Sequence, residues 1–96
     1  MIEIRETELF ATWLDNQRDI QAKARVLVRI ERLASGNAGD VKPVGEGVSE
    51  MRINRGPGYR VYFIQRGSEL IILPAGGDKS SQSRDIKSAI RLAQNL

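Results

Sequence analysis

The sequence predicts an α+β domain in the order β-α-α-β-β-β-α, a small curved, mainly antiparallel sheet with two N-terminal helices and one C-terminal helix. Three observations predict it. An alternating apolar–charged segment opens the chain, two stretches of helical periodicity follow, and three runs rich in β-branched and aromatic residues are separated by glycine-bearing turns before a last periodic stretch. With 96 residues the chain is read as one domain, 1–96, able to bury roughly 60–65% of its unfolded surface around a core.

Each element has its own signal. In Met1–Glu6, Ile2 and Ile4 alternate with Glu3 and Arg5, the period of a half-buried strand. Thr7 offers an N-cap oxygen to a short helix carrying Phe10, Trp13 and Leu14 and ending near Asn16. A longer helix runs from about Asp19 to Ala34, with Ile20, Ala24, Leu27, Ile30 and Ala34 as the expected core-facing stripe and Gly36 as its stop. Arg25, Arg29 and Arg32 share another face, read as solvated. A glycine-rich loop spans Ser35 to Gly47. Three strands follow, Val48–Asn54, Gly58–Arg66 and Glu69–Pro74, joined as a meander by Gly56-Pro57-Gly58 and Gly67-Ser68. Gly76-Gly77-Asp78 breaks the pattern. Ser80 or Ser81 then caps a last helix whose Ile86, Ala89, Ile90, Ala93 and Leu96 face inward. With helices over one sheet face, the other face is expected to stay open for a partner.

Composition removes several kinds of chemistry. There is no Cys and no His, which excludes a disulfide framework, a thiolate metal site and the commonest general base. The longest apolar stretch, Leu70–Ala75, is far short of the ~20 residues of a spanning helix. No basic n-region and apolar run marks the N-terminus. The expectation is a cytoplasmic protein with no metal and no cofactor. Charge is uneven: residues 1–51 hold seven Lys/Arg against nine Asp/Glu, and residues 52–96 hold eight against three. The positive field of the second half suggests a polyanionic partner.

Candidate chemistry gathers in that half. A three-residue turn, Arg55-Gly56-Pro57, pairs Arg52 with Arg60 across two strands and sets two guanidinium groups side by side, an arrangement that favours a bridging anion. A two-residue loop separates them onto opposite faces, and the sequence leaves both registers open. Lys79 stands at the start of the last helix, where free N–H groups favour phosphate. The nucleoside-triphosphate motif G-x-x-x-x-G-K-[ST] is absent, because Asp78 separates Gly77 from Lys79. Tyr59 and Tyr62 flank Arg60, as rings that stack exposed RNA bases do. Arg55 and Arg84 complete a candidate nucleic-acid surface. The carboxylates Glu50, Glu69, Asp78 and Asp85 lie on different elements without metal-ligand spacing.

Lys42-Pro43-Val44-Gly45 leading into Val48–Ile53, then Gly56-Pro57-Gly58-Tyr59-Arg60-Val61-Tyr62-Phe63, then Gly76-Gly77-Asp78-Lys79-Ser80, resembles the phage-derived addiction module killer toxins, HigB-like members of the RelE/ParE superfamily. The similarity runs through nearly the whole chain. It implies the toxin of a type II toxin–antitoxin pair, held inactive by a small antitoxin, of helix-turn-helix type, and cutting messenger RNA on the ribosome without a metal. Carried over, Arg60 matches the family's strand arginine at the scissile phosphate, and Arg52 and Lys79 match neighbouring basic positions. Related nucleases often carry a Tyr or His near the C-terminus, and this chain has no His and no Tyr beyond Tyr62. Lys79, Tyr59, Tyr62 and Glu50 are the remaining proton carriers. The same resemblance admits a gyrase-binding inhibitor of the ParE type, which cuts nothing, and a decayed toxin that keeps only antitoxin binding. The antitoxin surface is expected on the outer side of the first two helices or on the open sheet face.

Overall fold

The computed structural model describes residues 2–68 and 70–95. In chain order the elements are β1 (Glu3–Glu6), α1 (Glu8–Asp15), α2 (Ile20–Ala34), β2 (Val41–Gly45), β3 (Val48–Ile53), β4 (Tyr59–Arg66), β5 (Leu70–Gly77), a 3₁₀ turn (Lys79–Ser81) and α3 (Gln82–Gln94). The α+β class is as the patterning predicts. The expected strand start at Glu69 and the inward-facing Leu96 lie outside the described residues.

The five strands form one sheet in the order β1-β5-β4-β3-β2, antiparallel except for β1, which runs parallel to β5. Strand β2, the first half of a hairpin, lies inside the segment expected as a glycine-rich loop. Its Pro43 and Gly45 argue against a strand, yet an edge strand tolerates both, because one side of its backbone has no ladder to complete. Gly45 pairs with Val48 across Glu46 and Gly47, whose φ values of +53° and +79° are those of a tight hairpin turn.

Alternation along the strands feeds two cores, one on each face. Met51, Ile53, Val61, Phe63, Ile71 and Leu73 meet Phe10 and Leu14 of α1 and Val26 and Leu33 of α2. Val48, Tyr62, Ile64 and Ala75 meet Ala89 and Ala93 of α3, with Ile86 and Ile90 packed alongside. The expected open face is therefore covered by α3. A sheet buried on both sides explains why β4 reads as the nearly continuous apolar run Val61–Ile64.

Helix α1 begins where predicted: the Thr7 hydroxyl accepts from Phe10 N at 3.2 Å and donates to the Pro74 carbonyl at 2.9 Å, fixing the helix to β5. Helix α2 also spans its expected range, capped by the Asp19 carboxylate, which takes the amides of Gln21 and Ala22 at 3.1 Å. Its buried face differs from the expected one. Ala22, Val26, Leu33 and Ala34 are buried and Ile30 is half-buried, while Ile20, Ala24 and Leu27 face out. The helix carries two apolar stripes of similar period. The stripe bearing small Ala22 enters the core, where Arg55 holds the Asp19 cap and Arg29 holds the strand end. The expected serine cap of α3 is also revised: Asp78 accepts from Ser80 N at 2.8 Å to cap the 3₁₀ turn, and Ser81 precedes α3 without a side-chain cap bond.

Gly76 and Gly77 act through space rather than backbone freedom. A Cβ on Gly76 lands inside the Trp13 indole, and one on Gly77 lands on the Asp85 carboxylate. Overpacking of this kind is expected to make Gly76→Ala less stable by about 2 kcal/mol or more, roughly 8–16 °C in Tm for a domain of this size. Thermal unfolding by circular dichroism checks it; an unchanged Tm would mean that Trp13 moves freely away from the strand.

Candidate functional site

The site is built on a row of three cross-strand neighbours. Arg52 of β3 pairs with Arg60 of β4, and Arg60 pairs with Gly77 of β5, so the register is the one that sets the two guanidinium-bearing residues side by side. Gly77 has no side chain, and the place its Cβ would take is filled by the Asp85 carboxylate and the Ser81 hydroxyl. The turn Asn54–Gly58 folds over this end of the sheet, and Lys79 N donates to the Pro57 carbonyl at 3.2 Å, tying the start of the 3₁₀ turn to it. Gly58 holds φ +79°, and a Cβ there would stand 3.1 Å from Arg60 Nη1 and 3.4 Å from Lys79 Cβ. Asp40, Arg52, Asn54, Gly58, Tyr59 and Arg60 line an open hollow of about 270 Å³. Three separated segments thus bring Arg60, Arg52 and the stem of Lys79 to one corner.

The two arginines differ in how firmly they are held. Arg60 is only 12% exposed: Nε lies 3.3 Å from Glu50 Oε1, and Nη1 donates to the Gly58 carbonyl at 2.7 Å. Glu50 is itself 1% exposed, and its Oε2 accepts from Gln82 Nε2 of α3 at 2.9 Å. Arg52 is half-exposed and sits 3.6 Å from Asp40 in the surrounding water. Exposed pairs of that kind contribute about 0–1 kcal/mol, so an arriving anion can take Arg52 from Asp40 at little cost, whereas Arg60 is fixed in place by its buried partner. Each arginine has its own carboxylate, which is how the fold tolerates the like-charge pair.

Glu50, an expected proton carrier, is instead buried under Arg60, with Oε2 accepting from Gln82 and Oε1 in ion-pair contact with Arg60 Nε. Tyr62 is also corrected. It projects from the same sheet face as Arg60 but is completely buried, so its ring offers no surface to a base. Burial first, then the nearby Glu50 and Asp85 carboxylates, push its phenol well above the ordinary tyrosine value, and among the described residues its hydroxyl has no hydrogen-bond partner. A group whose folded pKa is raised contributes stability that is complete below the unfolded value near 10 and is lost as pH rises past it. Tyr62→Phe is therefore expected to leave stability at pH 7 unchanged or up to about 1 kcal/mol higher, and to move alkaline unfolding to higher pH. Urea unfolding at pH 7 with an alkaline titration checks this; a loss beyond about 1 kcal/mol would show that the hydroxyl is satisfied.

The other candidates separate. Tyr59 lines the hollow while its ring packs edge-on against Trp13 at 6.4 Å. Arg55 turns away to Asp19, Nε to Oδ2 at 3.1 Å and Nη2 to Oδ1 at 3.2 Å, a bidentate contact that lowers the Asp19 pKa and locks the α2 cap to the turn. Arg84 lines a different hollow with Ser80, Ser81, Ser83 and Lys87 at the start of α3. Asp78, bonded by Ser80 and near Arg60, is held below the usual carboxylate range. Arg29, expected on a solvated face, instead donates from its guanidinium to the Arg52 carbonyl at 2.6 Å and to the Ala38 and Asp40 carbonyls at 3.1 and 3.4 Å. No pattern in one sequence marks that role, because carbonyls are present at every position. Among the described residues no cluster of acidic side chains is placed to hold a metal ion, and no helix is long and apolar enough to cross a membrane.

A protein of Haemophilus influenzae, described as an uncharacterized protein, is 48% identical over 95 residues, covering 99% of this chain and 96% of its own length. A family model of phage-derived Gp49-like proteins matches residues 12–96, which takes in every residue of the arginine row and its buried support. The chain belongs to the phage-derived Gp49-like protein family.

Proposed function

We propose that this protein is the toxin of a type II toxin–antitoxin pair and stops translation by cutting messenger RNA on the ribosome, with a small antitoxin as its partner. The observation that carries the reading is Arg60: a guanidinium clamped between a buried carboxylate and a turn carbonyl, at the edge of an open hollow shared with Arg52. RNA cleavage of this type lets the substrate's own 2′-hydroxyl attack the adjacent phosphate. The protein then has to orient that hydroxyl, stabilise the added negative charge and help protons move.

Arg60 suits the second task, because its fork grips phosphate oxygens and it is already fixed before substrate arrives, so little freedom is lost in binding. For the same reason it cannot take a proton. With Tyr62 buried and Glu50 occupied, Tyr59 and Asp40 are the proton carriers that line the hollow, with the stem of Lys79 beside it. Among the described residues no base is bonded to Tyr59 or Lys79, so the site by itself is a weak catalyst, and alignment of the message falls to the ribosome.

The test is cleavage mapped by primer extension in a reconstituted translation reaction and on the same RNA without ribosomes. Cuts confined to the translating reaction are expected. Intact message together with loss of gyrase supercoiling would replace this reading with that of a gyrase inhibitor. Intact message with active gyrase would leave a chain without toxin activity.

A further inference from the structure

The residue just before β2 brings a carboxylate to the arginine row. Asp40 stands across from Arg52, one place beyond the Val41–Met51 pair, and Arg52 N donates to its carbonyl at 3.0 Å, so the row reads Asp40, Arg52, Arg60 across the sheet. Among the described residues Asp40 is the one carboxylate that lines the open hollow. Its backbone is fixed although its side chain is wet. The Arg29 guanidinium ties the Ala38 and Asp40 carbonyls to the carbonyl of Arg52, and it lies so close to Gly39, at φ +71°, that a Cβ there would stand 3.0 Å from Arg29 Nη2. The Asp40 carboxylate is 60% exposed, and among the described residues its ion-pair partner is Arg52, at 3.6 Å.

We propose that Asp40 is the general base of the cleavage, an assignment that rests on the ribonuclease reading above. An ionised carboxylate only accepts, whereas an ammonium has only donors and a phenol must first lose its own proton. Of Asp40, Lys79 and Tyr59, the carboxylate alone is ready to take a proton. The exposed ion pair supplies the timing. A phosphate bridging Arg60 and Arg52 draws Arg52 away, and Asp40 is left without its cation beside the bound nucleotide. The distances agree. At attack the 2′-oxygen lies about 3–3.5 Å from phosphorus and the base about 3 Å from that oxygen, and the step from one strand to the next, about 4.8 Å, falls inside that reach. An Asp40 carboxylate oxygen takes the 2′-hydroxyl proton as the 2′-oxygen bonds to phosphorus. The bond from phosphorus to the 5′-oxygen breaks, and the leaving oxygen takes a proton from water. The products are a cyclic phosphate and a 5′-hydroxyl end, and Asp40 returns its proton to solvent.

The experiment measures single-turnover cleavage of a ribosome-bound message by the full chain over a range of protein concentrations. Asp40→Asn is expected to lower the maximal rate by about 10²–10⁴, the usual contribution of a positioned base. The half-saturating concentration should stay unchanged or fall, because Arg52 is freed for phosphate, and the unfolding midpoint should not move, because the pair is exposed. An Asp40 that serves only to neutralise Arg52 gives the opposite sign, a rate equal to the parent's or higher. Formate supplies a carboxylate without the tether: it is expected to restore part of the rate of Asp40→Ala, where there is room for it, and none to Asp40→Asn, while chloride at equal concentration restores neither. A parent that cuts the message while Asp40→Asn cuts it as fast overturns the proposal and leaves the ribonuclease reading standing. A slower Asp40→Asn with a raised half-saturating concentration, and no response of Asp40→Ala to formate, overturns it in favour of a role in holding the message. A parent that leaves the message intact on translating ribosomes overturns both.

Discussion

Arg60→Lys is expected to abolish growth arrest while leaving the fold intact, with message cleavage down by about 10²–10³, the usual consequence of losing one oriented donor to a developing charge. Lysine keeps the positive charge opposite Glu50 but gives up the planar fork, so the variant separates phosphate geometry from charge. Arg60→Ala is the less informative choice. It strands Glu50 in the interior with Gln82 alone, and breaking a buried pair in this way costs about 3–5 kcal/mol, enough to unfold a domain of this size. Combining Arg60→Ala with Glu50→Gln removes both charges and restores the fold without restoring activity. Induced expression in a plasmid growth assay, with thermal unfolding of each purified variant, makes the comparison. Full toxicity of Arg60→Lys and of the double variant would place the activity elsewhere on the molecule.

Glu50→Ala carries the second large effect. It leaves Arg60 mostly buried and without its carboxylate, with an expected loss of about 3 kcal/mol or more in stability and at least tenfold in cleavage. Glu50→Gln keeps the side-chain volume and an oxygen near Arg60 Nε, and is expected to recover most of the stability. Activity should fall in both, because neither variant gives Arg60 the buried negative charge that fixes it beside the Gly58 carbonyl. A double-mutant cycle is the deciding measurement: on an Arg60→Lys background, Glu50→Gln should cost little further activity if Glu50 acts only through Arg60. Independent, additive losses would assign Glu50 a contact of its own with substrate.

Local chemistry carries most of the fold. The Thr7 cap, the start of α2 near Asp19 and a turn at Gly56-Pro57-Gly58 are placed correctly, because a cap or a tight turn is decided by residues within a few positions of one another. What lay beyond reach has a common cause. Strand β2 depends on finding β3, since nothing in Val41–Gly45 favours a strand alone. The inward face of α2 depends on which of two equivalent stripes the sheet accepts. That α3 covers the second sheet face depends on where the chain returns after β5, a matter of topology to which periodicity is blind.

The arginine row divides in the same way. Sequence alone determined that Arg52 and Arg60 stand on adjacent strands with Lys79 beyond the last one, and that with no His or Cys any phosphate chemistry here rests on guanidinium and ammonium groups. Only the tertiary structure decided that Arg52 and Arg60 share a face, that Glu50 and Gln82 hold Arg60 from beneath, that Tyr62 is sealed in the core and that Arg55 is committed to Asp19. The physical reason is that a side chain's type is local, whereas its exposure and its partner are set by elements distant in sequence, and it is the partner that determines whether a cation is free to bind an anion.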